Sequence, residues 1–216
     1  MKKELERRNL SFEVRAEQTE RGHILTGRPV VYNSRTDIGP FDEIICSGAL
    51  DKTDLTDIRF LVNHDMKKLP LARSRRNNGN STMQLSVDAQ GLSLDWVDLD
   101  VENNADAAAL YSAVQRGDVD GMSFAYSVTK ERWENLESEH PTRYIEAIGS
   151  IVEISAVTWP AYEDTEINTR ATRALDSARQ AVETARNEAR AKQSLDSDYI
   201  ETLKIQTRIL AGLHNQ

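Results

Sequence analysis

The chain has 216 residues, of which 39% are hydrophobic and 29% charged, a composition typical of a globular protein that buries a core. Its 27 basic and 35 acidic residues give a net charge of −8, which argues against nucleic acid as a partner. No apolar run is long enough to cross a bilayer, the first residues lack the apolar segment of a signal peptide, and the single cysteine, Cys46, has no partner for an internal disulfide. We therefore expect an intracellular chain without a membrane partner.

The N-terminal third is predicted to form strands. Residues 10–15 alternate apolar and polar side chains, and residues 23–32 form a second apolar run that contains Pro29. A proline at this place predicts an edge strand or a bulge. Residues 41–46 are predicted to be a short third strand, and a short helical segment is predicted from residue 48 to residue 57.

An apolar strand at residues 58–62 is followed directly by polar residues, among them His64. Residues 73–80 are rich in Arg and Asn and predict a solvated, mobile loop. Alternating apolar residues on both sides of a turn at residues 88–91 predict a β-hairpin. Residues 104–116 predict a helix with an asparagine cap, and its apolar stripe comprises Ala107, Leu110, Tyr111 and Val114.

Ser123 lies near the start of the next predicted strand, two residues after Gly121. Its period-two neighbours are Ala125 and Ser127, whereas large apolar residues occupy the other face. A serine in this position is able to present its hydroxyl in an open cleft. The alternative is a core strand with a polar outer face and no chemical role.

Glu153 lies inside a second extended, apolar segment, at residues 144–160. The alternation places Glu153 and Ser155 on one face of this strand, beside apolar side chains. A carboxylate in such surroundings must be exposed, paired with a cation or hydrogen-bonded.

Composition changes after about residue 165. Residues 171–193 are rich in Ala, Arg, Glu and Gln, contain no Gly or Pro, and carry few large apolar side chains. They predict a helix that is exposed over most of its surface or ordered by a partner. We therefore predict a domain at residues 1–165 and a helical, partly flexible C-terminal tail at residues 166–216.

Serine hydrolysis requires a hydroxyl, a base that takes its proton and an acceptor that orients the base. Ser123, His64 and Glu153 are candidates for these three roles. Each has another explanation when taken alone, since His64 could end a strand and Glu153 could pair with an arginine. Rivals for the third role are Ser155 and the acids Asp65, Asp95, Asp98 and Asp100. Of these, Asp65 is disfavoured because adjacent strand residues point to opposite faces.

Residues 61–65, 120–126 and 152–162 together resemble, in this order, sequence blocks of the prohead serine proteases of tailed phages. Residues 27–32 and 47–50 are also similar to that family, so the resemblance covers roughly residues 10–165. At Ala125 many relatives carry a glycine instead. The resemblance implies that Ser123 is the nucleophile and His64 the base, and Glu153 matches a carboxylate of the family.

The resemblance also implies a fold and a role. The expected class is α+β, mainly β, with a β-barrel flanked by helices like that of herpesvirus assembly proteases. The expected activity is a serine endopeptidase that cleaves the scaffolding segments of the major capsid protein, and itself, inside the assembling prohead in the host cytoplasm. No metal or cofactor is implied. The alternative function is a non-catalytic scaffolding module that binds coat protein through the helical tail.

Overall fold

Eleven strands and two helices make up the part of the chain that the computed structural model describes, which is residues 5–10, 14–158, 176–195 and 200. The strands are β1 (Glu6–Leu10), β2 (Val14–Thr19), β3 (Gly22–Val31), β4 (Arg35–Asp37), β5 (Asp42–Ile45), β6 (Asp57–Val62), β7 (Ala72–Arg75), β8 (Met83–Asp88), β9 (Gly91–Leu99), β10 (Gly121–Glu134) and β11 (Thr142–Val157). The helices are α1 (Ala105–Gln115) and α2 (176–195).

The larger sheet has seven strands and is built around β11. Its order is β1-β10-β11-β5-β4, and β6 pairs with β11 and with β7. β10 runs antiparallel to β11 along one edge. On the other edge, the N-terminal part of β11 pairs in parallel with β5, and its C-terminal part pairs in parallel with β6. One long strand therefore carries three neighbours, of which two share an edge.

The smaller sheet has four antiparallel strands in the order β2-β3-β9-β8. The predicted hairpin is β8 and β9. Pro29 lies in β3 between Gly27 and Val30, where the register with β9 shifts, so the expected bulge is observed. The turn of the hairpin needs a glycine, because a Cβ on Gly91 would lie 2.1 Å from the carbonyl oxygen of Val30.

The class is α+β and mainly β, as predicted, but the expected closed barrel is wrong. The edges of the two sheets come close at two places, called seams here, and at each seam we find an isolated backbone hydrogen bond and not a continuous ladder of strand pairing. At one seam the N–H of Thr82 donates to the carbonyl of Arg73, at 3.0 Å, and at the other the N–H of Val14 donates to the carbonyl of Asp120, at 3.4 Å. The two sheets thus remain separate and do not close into a barrel.

Helix α1 agrees with its predicted bounds and cap. The side chain of Asn104 accepts the N–H groups of Asp106 and Ala107, and the predicted apolar stripe is buried. The helix predicted at residues 48–57 is wrong, since this stretch forms turns and an isolated bridge between Asp54 and Ser150.

The expectation of a mobile loop at residues 73–80 is also wrong at its start. β7 pairs there with β6, and Arg73 also donates two side-chain hydrogen bonds to Asp57, at 2.6 and 2.7 Å, across the two strands.

Both sheets and α1 contribute to one hydrophobic core. The open cleft expected at the Ser123 hydroxyl is not observed, and the polar outer face of the alternative interpretation is wrong too, since residues 121–127 of β10 are buried on both faces. β10 is flanked by β1 and β11 and covered on either side, so its alternation does not mark a solvent-facing surface. Ser123 itself has no exposed surface.

A buried arginine joins three acidic side chains beneath this core. Arg143, at the start of β11, donates hydrogen bonds to Glu6, Glu43 and Glu131, and Tyr126 donates to Glu43 at 3.0 Å. Burial alone would lower the pKa of Arg143, but the bond to Glu6 and the charge of Glu43 outweigh burial and raise that pKa, so the guanidinium stays charged. The cluster ties β1, β5, β10 and β11 together.

Helix α2 packs on the domain through a small contact. Ala178 and Val182, one turn apart, are buried against Ile38 and Phe41, and Arg186 donates to the backbone carbonyls of residues 136 and 138. Most of the helix is exposed. No helix in the described ranges is both long and apolar enough to span a membrane. The boundary at residue 165 and most of the predicted tail lie outside the described residues.

The Arg143 cluster leads to a prediction about stability. In Arg143→Met, three carboxylates lose their cation, and removal of one partner from a buried ion pair typically costs about 3–5 kcal/mol. We expect the free energy of unfolding, measured by urea denaturation, to fall by about that amount. Arg116→Met is the matched control, because its pair with Asp118 is exposed and should contribute little. Equal losses in the two variants would contradict the structural role of Arg143.

Candidate active site

Three adjacent strands converge at the C-terminal end of β11. Ser123 on β10 is the direct cross-strand partner of Ser155 on β11, and Ala125 is the partner of Glu153. Directly opposite residues of an antiparallel pair share a face. Ser123, Glu153 and Ser155 are thus brought to one face of the sheet, although 30 residues separate Ser123 from Glu153 in sequence.

The third strand, β6, supplies His64 through a tight turn at its end. Asn63 and His64 both have left-handed backbone conformations, with φ of 51° and 57°. The turn is fastened to β11, because the N–H of Asn63 donates to the carbonyl of Ala156 at 2.9 Å and the N–H of His64 donates to Ser155 Oγ at 3.1 Å. This reversal directs the chain back towards the face that carries Ser123 and Glu153.

A continuous hydrogen-bonded chain links the three predicted residues. Ser123 Oγ lies 2.6 Å from Nε2 of His64, and Nδ1 of His64 lies 2.6 Å from Oε1 of Glu153. An ionised carboxylate only accepts hydrogen bonds, so the proton of a neutral imidazole belongs on Nδ1. Nε2 is then the acceptor for the serine hydroxyl, which is the arrangement that a general base requires.

The acidic end of this chain is sealed from solvent. Glu153 has no exposed surface, whereas the side chain of His64 is 14% exposed. Both carboxylate oxygens of Glu153 are occupied, since Oε1 faces His64 and Oε2 accepts the hydroxyl of Ser155 at 2.6 Å. A buried carboxylate satisfied in this way attracts a positive charge on the imidazole strongly, because little water screens the two groups.

The other acidic candidates are engaged elsewhere. The Asp65 carboxylate accepts the N–H of Lys67 at 3.1 Å, and the Asp95 carboxylate accepts the hydroxyl of Ser86 at 2.7 Å. Asp100 accepts the backbone and side-chain N–H groups of Asn103, and Asp98 belongs to β9 of the smaller sheet. Of the acids that the sequence offers for the third role, Glu153 is the one that contacts His64.

Two residues, Ser155 and Asn63, make contacts in the site that the sequence analysis did not predict. Ser155 is predicted only to share a face with Glu153 and to be its rival, and Asn63 only belongs to a sequence block. The period-two spacing of Glu153 and Ser155 is the available signal for the first. Asn63 accepts the N–H and the hydroxyl of Thr158, at 3.0 and 3.2 Å, and no local pattern indicates this long-range contact.

One group of potential metal ligands occurs in the described part of the chain, at Asp37, Asp42 and His140. It does not include any residue of the Ser123 site. Nε2 of His140 lies 3.1 Å from Asp42, which also accepts a hydrogen bond from Arg35 at 2.6 Å. A network of polar contacts near the surface is therefore enough to explain why Asp37, Asp42 and His140 lie close together.

A serine hydroxyl bonded to an imidazole that is in turn bonded to a buried carboxylate defines the class of serine hydrolases. The family model of the caudovirus prohead serine protease matches residues 10–180. The chain belongs to this family, and the match extends past residue 165 into the start of α2. Comparison with curated proteins and with solved structures gave no significant match.

The left-handed turn at Asn63 and His64 leads to a prediction about the relative stabilities of two Asn63 variants. Asn63→Gly loses the contacts with Thr158, and Asn63→Ala loses them too and places a Cβ in the left-handed region, which costs about 1–2 kcal/mol. We expect urea denaturation to rank the alanine variant below the glycine variant by roughly that amount. Gly79→Ala is the control, since that glycine has neither a positive φ nor a close neighbour. An alanine variant as stable as the glycine variant would argue against the turn.

Proposed function

We propose that this chain is a serine endopeptidase of phage prohead maturation, with Ser123 as nucleophile, His64 as general base and Glu153 as the group that orients and stabilises the imidazolium. The observation that supports this most is the unbroken chain Ser123–His64–Glu153, with 2.6 Å at each link. These are the distances at which proton transfer between heavy atoms is effective.

In the proposed reaction, Ser123 Oγ attacks the carbonyl carbon of the scissile peptide while its proton passes to Nε2 of His64. The imidazolium that results faces the buried carboxylate of Glu153, which stabilises the charge at the stage where it forms. His64 then donates the proton to the leaving amine. Water, activated by the same base, hydrolyses the acyl group from Ser123 and restores the site.

Access of the substrate requires a local movement. Ser123 has no exposed surface, yet nucleophilic attack needs a carbonyl carbon within about 3–3.5 Å of Oγ. The conformation described is therefore closed to substrate at Ser123, although its hydrogen-bonded chain is assembled. We propose that the peptide substrate, or removal of part of the chain by self-cleavage, opens it.

The proposed substrates are the scaffolding segments of the major capsid protein and the chain itself, and the proposed location is the assembling prohead in the host cytoplasm. Membership of the prohead protease family supports these assignments. The alternative, a scaffolding module without catalysis, does not require a base aligned on the serine hydroxyl. We therefore favour the peptidase.

The first prediction concerns Ser123 and His64. Either alanine variant should lose self-cleavage and hydrolysis of coat-protein scaffold by on the order of 10⁶-fold, and the double variant should be no worse, because the two residues act as a unit. The measurements are intact mass after incubation of the full chain and labelling by a fluorophosphonate probe.

Wild-type chain that is cleaved and labelled at Ser123, beside intact and unlabelled Ser123→Ala, would establish the peptidase. Proteolysis that persists in purified Ser123→Ala would remove Ser123 from the reaction. Wild-type chain that neither labels nor cleaves scaffold after incubation would favour the scaffolding module.

The second prediction separates a catalytic from a structural role for Glu153. Glu153→Gln should fold but lose about 10⁴-fold in kcat, because an amide presents the wrong partner to Nδ1 and cannot balance an imidazolium. Glu43→Gln is the matched control, as Glu43 is equally buried but bonded to Arg143 and Tyr126. It should lower the melting temperature and leave kcat nearly unchanged. Full activity in Glu153→Gln, with only a lower melting temperature, would assign Glu153 to structure alone.

A further inference from the structure

The hydroxyl of Ser155 lies between two members of the proposed catalytic chain. It donates to Oε2 of Glu153 at 2.6 Å, and it accepts the backbone N–H of His64 at 3.1 Å. Ser155 is fully buried, so water does not compete for either bond. One side chain therefore contacts both the acid and the backbone of the base.

The directions of these two bonds are fixed by chemistry. A serine hydroxyl has one proton and two acceptor lone pairs. The carboxylate of Glu153 accepts only, so the proton of Ser155 points to Oε2, and the lone pairs are left for the N–H of His64. With Oε2 held, the carboxylate cannot rotate freely, and Oε1 stays aimed at Nδ1 of His64.

The bond to His64 acts on the backbone of a strained turn. His64 has a left-handed conformation beyond the end of β6, where no sheet partner continues the ladder. Ser155 Oγ takes the place of that partner. Ser155 is also the cross-strand neighbour of Ser123. The same position of β11 is therefore in contact with the turn of His64 and next to Ser123, so it fixes where His64 lies relative to Ser123.

We propose that Ser155 is a positioning residue of the hydrolytic site, which orients the carboxylate of Glu153 and anchors the turn that carries His64. The inference rests on the proposed peptidase function and adds a fourth member to its site. Ser155 touches no reacting atom in this proposal and acts through Glu153 and His64.

The test compares three variants of the full chain. Ser155→Ala should lower kcat on a scaffold peptide by about 10- to 100-fold with KM little changed, because alignment is lost while substrate contacts remain. Ser155→Thr keeps the hydroxyl and should recover most of the rate. Ser127→Ala is the control, since Ser127 is a buried serine of β10 that bonds to Ser150 at 3.0 Å, outside the site. It should keep the wild-type kcat.

A second readout does not depend on proteolysis. The Nδ1 proton shared by His64 and Glu153 should give a far-downfield proton resonance in wild type and in Ser127→Ala. In Ser155→Ala this resonance should shift or broaden as the carboxylate becomes free to rotate. The melting temperature of each variant shows whether it is folded.

The outcomes separate the two proposals. Loss of kcat and of the downfield resonance in folded Ser155→Ala, with both kept in Ser127→Ala, supports the positioning role. An unchanged kcat or an unchanged resonance in Ser155→Ala overturns it. If wild type shows no peptidase activity, the proposed function fails, and the resonance alone decides whether Ser155 aligns His64 and Glu153. If Ser155→Ala does not fold, Ser155→Thr decides, because a wild-type resonance requires its hydroxyl to restore the bond to Glu153.

Discussion

Burial of the Glu153 carboxylate is the constraint on which the rest of the site depends. A charged group without exposed surface persists only where donors replace water, and Glu153 has two of them, Nδ1 of His64 and the hydroxyl of Ser155. Each donor in turn needs support. His64 is held by its turn and Ser155 by the strand that also carries Glu153. The site is therefore a consequence of β11 lying between β10 and β6, because that arrangement brings Ser123, Glu153 and His64 to one end of one sheet.

The chain contains a second buried carboxylate, Glu43, and the contrast between the two explains their roles. Glu43 faces Arg143, a cation whose raised pKa keeps it charged throughout. That pair is satisfied in the ground state and gains nothing when a reaction occurs. In the proposed reaction, the imidazole that Glu153 faces gains a positive charge when it takes the serine proton, so the attraction grows in the transition state. Similar burial thus stabilises a permanent ion pair at one end of β11 and, in the proposed reaction, a transient charge at the other.

Local patterns were sufficient for elements whose signals are contained within a few residues. The cap and apolar stripe predicted α1, and alternation predicted the β8–β9 hairpin. The period of two also placed Glu153 and Ser155 on one face. The same period of two did not predict the burial of Ser123, because β10 is covered on both sides and the face that carries its serines is not exposed to solvent. The turn at Asn63 and His64 and the strand β7 depend on partners far along the chain, Ala156 for the first and Asp57 for the second. The open sheets were likewise not predictable, since closure depends on the seams between them.

The burial of Ser123 has to be considered together with the hydrogen bonds that hold His64 in place. In the proposed reaction, a base that is already aligned lowers the cost of attack, because the alignment need not be established when the substrate enters. Three supports of the turn at Asn63 and His64 come from residues 155–158, at the end of β11 or directly after it. Two of them, Ser155 and Ala156, are buried in the sheet. A local movement that exposes Ser123 to a substrate therefore need not disturb the hydrogen bonds that join Ser123, His64 and Glu153. On this view, the proposed reaction separates exposure of Ser123 from alignment of His64, which residues 155–158 maintain.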